Sequence, residues 1–270
     1  MRIITATAVD DPSLPFDGPR GFSAAQLAGL YFMDGSDTLT SIRNYSTAVG
    51  AQSTGVATPG NAGAHSSAVL MTGGGIQLRG TKYLPGPQID YSTEWTLFSH
   101  MAVGLPTQHD SVTSWTSPIV SSDGLADGKA SIVYATRTSG QGYPSSAAPL
   151  APALRRFESG AQQAATAITA PTSLCYTTYF TIFQSLKAGN LRARFYVGGS
   201  KIADTTVAIN VTNMVNGTPL QKPCVGTPYI AYNEANLLVE CYGVWTRELS
   251  DADCETMDLA SVTIRQSRGR

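Results

Sequence analysis

The chain has 270 residues, enough for one large domain with a sizeable core. Only 14% of the residues are charged, against a usual share of about 25%, and the net charge is −1. No global field draws such a chain to nucleic acid or to an anionic membrane, so nucleic acid is excluded as the default partner.

Residues 1–23 are rich in Pro, Asp and Gly without a period, and read as an extended N-terminal arm. Their start lacks a basic segment followed by an apolar one, and Asp10, Asp11 and Pro12 interrupt it, so no Sec-type signal peptide is expected. No later stretch approaches the roughly 18 continuous apolar residues of a membrane span. A short apolar piece, residues 28–33, ends at the turn signal Asp34-Gly35. Residues 46–68 are small and polar and read as a long surface loop or as very short strands linked by loops. Gly73, Gly74 and Gly75 read as a turn or bulge; they lack the Gly-Lys-Ser/Thr ending of a phosphate-binding loop.

Residues 75–83 read as one strand. Residues 94–103 give a stronger one, with Trp95, Leu97, Met101 and Val103 on one face. Residues 117–121 and 130–136 follow as strands, split by Asp123-Gly124 and Asp127-Gly128. Residues 137–172 break the rhythm and read as an insertion, with a short helix around Arg155, Arg156 and Glu158. Residues 175–186 are aromatic and β-branched, and residues 188–190 turn the chain. Residues 191–197 alternate: Leu191, Ala193, Phe195 and Val197 on one face, Arg192, Arg194 and Tyr196 on the other, which reads as exposed. Gly198 and Gly199 turn the chain into a strand over 201–209. Residues 227–232 and 237–246 complete the set. In the last, Leu237, Val239, Cys241 and Trp245 are expected on one face and Glu240 and Tyr242 on the other. Ser250 caps a short helix over 250–260, with Asp251 and Asp253 in its first turn. A basic tail, 263–270, ends the sequence. No repeat of about 20–50 residues is present, which argues against a solenoid or propeller.

Four fragments, in this order, resemble the laminin-G-like, concanavalin A-like family of jelly-roll sandwiches. Residues 28–34 (AGLYFMD) look like its opening strand, and residues 76–103 like its second pair of strands. Residues 194–202 (RFYVGGSKI) look like its "lyvNGv" hairpin, with Gly198 in place of the usual Asn. Residues 238–253 (LVECYGVWTRELSDAD) look like its closing "ydRaLsdaE" strand and helix. The resemblance spans about residues 24–262 and implies an all-β, antiparallel two-sheet jelly roll with one short C-terminal helix. A fold is not an activity. Such domains are mostly glycan-binding, adhesive or structural, and many occur in bacteriophage virions.

Catalytic signals are sparse. Retaining glycosidases need two carboxylates about 5–5.5 Å apart. The glucanases of this fold carry them as Glu-x-Asp-x-x-Glu, which none of Glu94, Glu158, Glu234, Glu240, Glu248 and Glu255 forms. Glu240 is the one to watch, and it reads first as a solvated residue of an exposed sheet face. His65, His100 and His109 fit no triad spacing, and His100 reads as a surface or second-layer residue. Cys175, Cys224, Cys241 and Cys254 fit no zinc motif and read as reduced thiols, although three disulfide pairings are open to them. Some jelly rolls of this type hold Ca²⁺ in a rim loop. Here Asp123 and Asp127 are the leading candidates and Asp34 and Asp37 the next, and a plain turn explains both Asp-Gly pairs without a metal. Glycan binding needs an aromatic platform with polar neighbours, for which Trp115, Tyr143, Arg192, Arg194 and Tyr196 are the candidates.

The expectation is a non-enzymatic structural or adhesive protein of a bacteriophage virion, of tail-fibre, baseplate or capsid-decoration type, located in the virion. Its partners would be other virion proteins and itself, a homotrimer being a common arrangement, with the arm anchoring it to neighbouring subunits. The alternatives are a carbohydrate-binding module that recognises a host surface glycan and, further off, a glycoside hydrolase. No cofactor is called for.

Overall fold

The computed structural model describes residues 21–46, 52–58, 66–105, 114–122, 130–138, 149–158, 161–162, 166–215, 219–226 and 236–270. The arm's residues 1–20 and the expected strand over 227–232 lie outside them. In chain order come β1 (Leu27–Tyr31), β2 (Ser67–Leu70), β3 (Ile76–Arg79), β4 (Tyr83–Pro85), β5 (Ile89–Asp90) and β6 (Trp95–Val103). Next are β7 (Ser114–Ser122), β8 (Ala130–Thr138), β9 (Ala153–Glu158), β10 (Ala161–Gln162) and β11 (Thr166–Ala167). The last part holds β12 (Tyr179–Lys187), β13 (Asn190–Val197), β14 (Ser200–Ala208), α1 (Val211–Val215), β15 (Leu220–Gln221), β16 (Pro223–Gly226), β17 (Asn236–Trp245) and α2 (Asp251–Ser267).

Two antiparallel sheets carry the fold. The first has eight strands, ordered β14-β13-β12-β6-β17-β3-β2, with β1 paired to the far half of β17. The second has seven, ordered β10-β9-β8-β7-β16-β4, with β11 on β9. Two-residue turns drive the β12-β13 and β13-β14 hairpins: Ala188 and Gly189, then Gly198 and Gly199, all have positive φ, as the twist of tight hairpins requires. Between the sheets lies one core, to which Trp95, Leu97, Met101, Ile182, Leu191 and Phe195 come from the first sheet and Leu84, Leu154 and Val225 from the second.

A second layer covers the other face of the first sheet. Helix α2 lies across it, with Cys254 and Met257 packed on Phe98, Phe183, Tyr196, Cys241 and Trp245. Trp245 donates its indole N–H to the Ser23 carbonyl at 2.8 Å, and Phe22 packs edge-on to Phe98 at 5.8 Å, so residues 22–23 also close this face. Every residue of β6 is buried as a result. The helix starts where expected: the Ser250 hydroxyl accepts from the Asp253 amide and the Asp253 carboxylate from the Ser250 amide, a capping box. It continues through residues 261–267, so the expected basic tail is mostly helix.

Three local expectations are corrected. Residues 75–83 are two strands in different sheets, split at Gly80, whose φ of +61° turns the chain. Residues 153–158 are strand β9 and not a helix; Leu154 drops into the core and β9 pairs with β8. In β17 a bulge falls between Val239, opposite Met101, and Cys241, opposite His100. The extra residue, Glu240, switches the face of everything after it. Tyr242 and Val244 therefore enter the inter-sheet core with Leu237 and Val239, while Cys241 and Trp245 face α2.

Candidate functional site

Of the side chains expected as an exposed set on β13, Arg194 and Tyr196 are covered and Arg192 is half-buried. They lie on the face under α2. Arg194 is 0% exposed; its Nη1 donates to the Leu249 carbonyl at 3.0 Å and to Asp251 Oδ1 at 2.8 Å. Tyr196, 2% exposed, packs against Phe183. Arg192 forks onto Asp204 through Nε at 2.8 Å and Nη2 at 2.5 Å, and Lys201 bridges Asp204 and Asp251 at 2.8 and 2.7 Å. Burial pushes the Asp251 carboxyl up, but hydrogen bonds from Lys201 and Arg194 outweigh it and hold the group well below the carboxylate range. This network pins the start of α2 to β13 and β14. A shallow groove beside it is lined by Lys187, Asn190, Arg192, Thr206 and Glu248, and its charges are paired: Lys187 to Glu248 at 3.3 Å and Arg192 to Glu248 at 3.6 Å.

Glu240 is not solvated. Its side chain is 0% exposed, at the bulge of β17, and two guanidiniums fill it. Arg268 Nη1 donates to Glu240 Oε2 at 2.9 Å and to the Glu240 carbonyl at 2.8 Å, and Arg270 donates Nε to Oε1 at 2.8 Å and Nη2 to Oε2 at 2.9 Å. The same arginines reach the carbonyls of Phe32, Thr72 and Gly74, so the glycine-rich turn is a seat for the end of the chain. Burial pushes Glu240 up, but the two arginines outweigh it and leave the group below its ordinary value, ionised at neutral pH.

His100 is likewise interior, at 1% exposure. Its Nδ1 lies 2.8 Å from Thr181 Oγ1, and Thr181 donates to Asp258 Oδ1. The other oxygen of Asp258 accepts from the Gly199 amide at 2.6 Å. Burial lowers His100 to about 3, so it is neutral, and burial raises Asp258. The trio has the residue types of a relay, but all three members are closed off from solvent beneath α2. What it does is tie the middle of the helix to β12 and to the β13-β14 turn.

Trp115 lies on β7 of the second sheet, opposite Arg137. Tyr143, Asp123 and Asp127 lie outside the described residues. Asp34 and Asp37 are engaged in a local turn, where they accept from the Ser36, Asp34 and Arg43 amides. Among the described residues no group of three or more His, Cys, Asp or Glu could hold a metal ion. None of the four cysteines is in a disulfide.

Sheet order brings together a surface that no local motif announces. One rung of cross-strand partners runs Tyr179–Ala102–Leu238–Gln77–Val69 over β12, β6, β17, β3 and β2. Its neighbour, Phe180–Met101–Val239–Ile76–Leu70, points into the core, so alternation puts the first rung on the opposite face. Here, past the end of α2, the face opens. Tyr179, Leu238 and Gln77 are half-buried, Val69 is 54% exposed, and Ala102 forms the floor. Four inter-strand steps give a strip about 19 Å long. The next outward rung, Asn236–Arg79–Ser67, borders it, and Gln77 Nε2 donates to Asn236 Oδ1 at 2.9 Å. At the other end the Arg265 guanidinium lies 4.8 Å from the centre of the Tyr179 ring. Burial first, and then the nearby Glu240, push the Tyr179 hydroxyl up to about 12. An apolar and aromatic floor with amide and guanidinium edges is a surface for a polar ligand that has apolar faces.

No family model and no curated protein matches the sequence. Solved structures resemble the fold. A Trypanosoma rangeli sialidase in complex with 2,3-difluorosialic acid superposes with a TM-score of 0.58 at 13% identity, over 94% of this chain and 36% of the sialidase. The binding domain of botulinum neurotoxin serotype D/C superposes with a TM-score of 0.54 at 12% identity, over 87% of this chain and 52% of that one. The chain thus spans about a third of the sialidase and half of the toxin domain. At these identities the likeness establishes the fold: an antiparallel, lectin-like jelly-roll sandwich with a C-terminal helix. Its structural neighbours include both an enzyme and a binding domain.

Proposed function

We propose that this chain is a non-enzymatic adhesive module that binds glycan along the open strip of its first sheet. The observation that carries the reading is the rung Tyr179–Ala102–Leu238–Gln77–Val69, the part of that face that α2 leaves uncovered. A sugar has apolar faces and polar edges, and the strip offers both kinds of partner. The absence of catalysis is supported by Glu240, whose two oxygens are taken by Arg268 and Arg270. A glycan array tests the proposal. Reproducible hits that vanish in the double variant Val69→Glu/Gln77→Ala are expected. Hits that survive it but vanish in Trp115→Ala would move the site to the second sheet. Polysaccharide turnover that disappears in Glu240→Gln would overturn the non-enzymatic reading.

A second reading keeps the fold and changes the partner: a structural subunit of a bacteriophage virion, packed on neighbouring copies. It is favoured by exposed apolar side chains at strand positions, Val69 at 54% and Leu220 at 56%. Electron microscopy and light scattering on the purified chain separate the two. Ordered self-assembly with a silent array supports the second, and a monomer with array hits supports the first.

A further inference from the structure

Arg265 stands apart from the other arginines around it. Arg268 and Arg270 are held by Glu240 and by carbonyls, and Arg194 reaches Asp251 and Leu249 through Nη1, although its Nε is buried without an acceptor. The Arg265 side chain, half-buried, has no hydrogen bond or ion pair among the described residues, and its Nε is buried without an acceptor. Neither nearby carboxylate is available to it. Glu240 is filled by two guanidiniums, and Asp258 by Thr181 and the Gly199 amide. Three guanidiniums therefore gather at this end of α2 near one buried carboxylate, Glu240, and the Arg265 guanidinium, without a hydrogen-bonded carboxylate of its own, lies over the Tyr179 ring at 4.8 Å. The position in the last turn of a helix accounts for a favourable placement of positive charge. It does not supply an acceptor to the two Nη nitrogens of Arg265, which have no hydrogen bond among the described residues and, unlike Nε, are not buried, so they are the atoms open to an anion.

We infer that Arg265, held on Tyr179, receives the anionic group of an acidic polysaccharide whose neighbouring units lie along Leu238, Gln77 and Val69. The inference rests on the glycan-binding reading and names its ligand class: a chain bearing carboxylate or sulfate, whose planar or tetrahedral oxygens suit a guanidinium fork. Arg270, 22% exposed beside the same tyrosine, adds long-range attraction without leaving Glu240.

Affinity electrophoresis of the full chain through gels cast with polygalacturonate, dextran sulfate or neutral dextran tests it. Retardation by one or both acidic polymers is expected to exceed that by dextran. In Arg265→Gln the apparent Kd for the acidic polymer should rise about tenfold, the loss of one charge-assisted contact. Arg265→Lys should recover only part of the binding, because an ammonium keeps the charge and loses the fork. Lys187→Gln, which removes a cation 55% exposed at the other end of β12, should change nothing. Polygalacturonate alone being retained assigns carboxylate, and dextran sulfate alone assigns sulfate. Equal loss in Lys187→Gln and Arg265→Gln would show non-specific charge attraction and overturn the inference. Dextran retained as well as the acidic polymers, with Arg265→Gln silent, would overturn the inference and leave the strip standing. No retention by any polymer would remove both. Unchanged circular dichroism in Arg265→Gln guards against a folding artefact.

Discussion

Replacing Glu240 by Gln should destabilise the fold and loosen the end of α2. The carboxylate is fully buried and accepts from Arg268 and Arg270, whose side chains are 8% and 22% exposed. The amide keeps the shape but removes the charge, leaving two guanidiniums mostly desolvated with only neutral partners. Breaking a buried pair in this way costs about 3 kcal/mol at the low end of the usual range, which applies because Arg270 is partly solvated. At an m-value of about 3 kcal/mol/M, that moves the urea midpoint down by about 1 M. The sign with pH follows from the lowered carboxyl of Glu240. Its stabilisation is complete above the unfolded-state value of about 4.3 and is lost as the pH falls toward the folded-state value. The wild type and Glu240→Gln should therefore differ most near neutrality and converge in acid. Urea titrations at pH 7 and across the acid range, with hydrogen exchange of residues 261–268, measure both effects. A difference below about 0.5 kcal/mol at pH 7, or one that persists undiminished in acid, would refute the clasp as a source of stability.

Two further outcomes follow from buried polar groups. Gln184 lies in the inter-sheet layer of β12 with neither its amide nitrogen nor its oxygen hydrogen-bonded. Gln184→Met, close in volume, should raise stability by about 1–2 kcal/mol, seen as a higher urea midpoint; a lower one would mean the amide is satisfied. Asp251→Ala leaves the fully buried Arg194 with the Leu249 carbonyl and Ser185 as its near partners. A loss of about 1–2 kcal/mol with earlier exchange in the first turn of α2 is expected, discounted because Asp251 is itself 47% exposed. An unchanged midpoint would show the network to be decorative.

The sandwich was legible because its signals are local. The alternation over residues 191–197, the glycine pairs at the hairpin turns and the Ser250 capping box each act within a few residues, and each is found in place. Polarity misled where a sheet is covered twice. Arg194 and Tyr196 alternate as an exposed face would, yet α2 supplies the partners that let an arginine be buried. The bulge at Glu240 has no signature in the sequence, since apolar residues occupy both faces of β17 on either side of it. Arg155 and Arg156 suggested a helix, and the pairing of β9 with β8 overrode that local preference. The strip has no local signature in the sequence, because Val69, Gln77, Tyr179 and Leu238 become neighbours only through strand order. The signal that could have found it is indirect: Ile76, Met101, Phe180 and Val239 are strongly apolar, so the residues beside them in the chain must point away from the core.

Strand β17 sits inside the first sheet, between β6 on one side and β3 and β1 on the other, yet it is the last of the described strands in the chain. A chain emerging from the ribosome therefore holds the β14-β13-β12-β6 block and the β3-β2 hairpin as separate pieces with raw edges, and β1 without its strand partner, until residues 236–245 arrive between them. The closing strand and the helix behind it act as a keystone. Any shortened version that stops before residue 236 would present those edges together, as a sticky intermediate and not as a smaller sandwich.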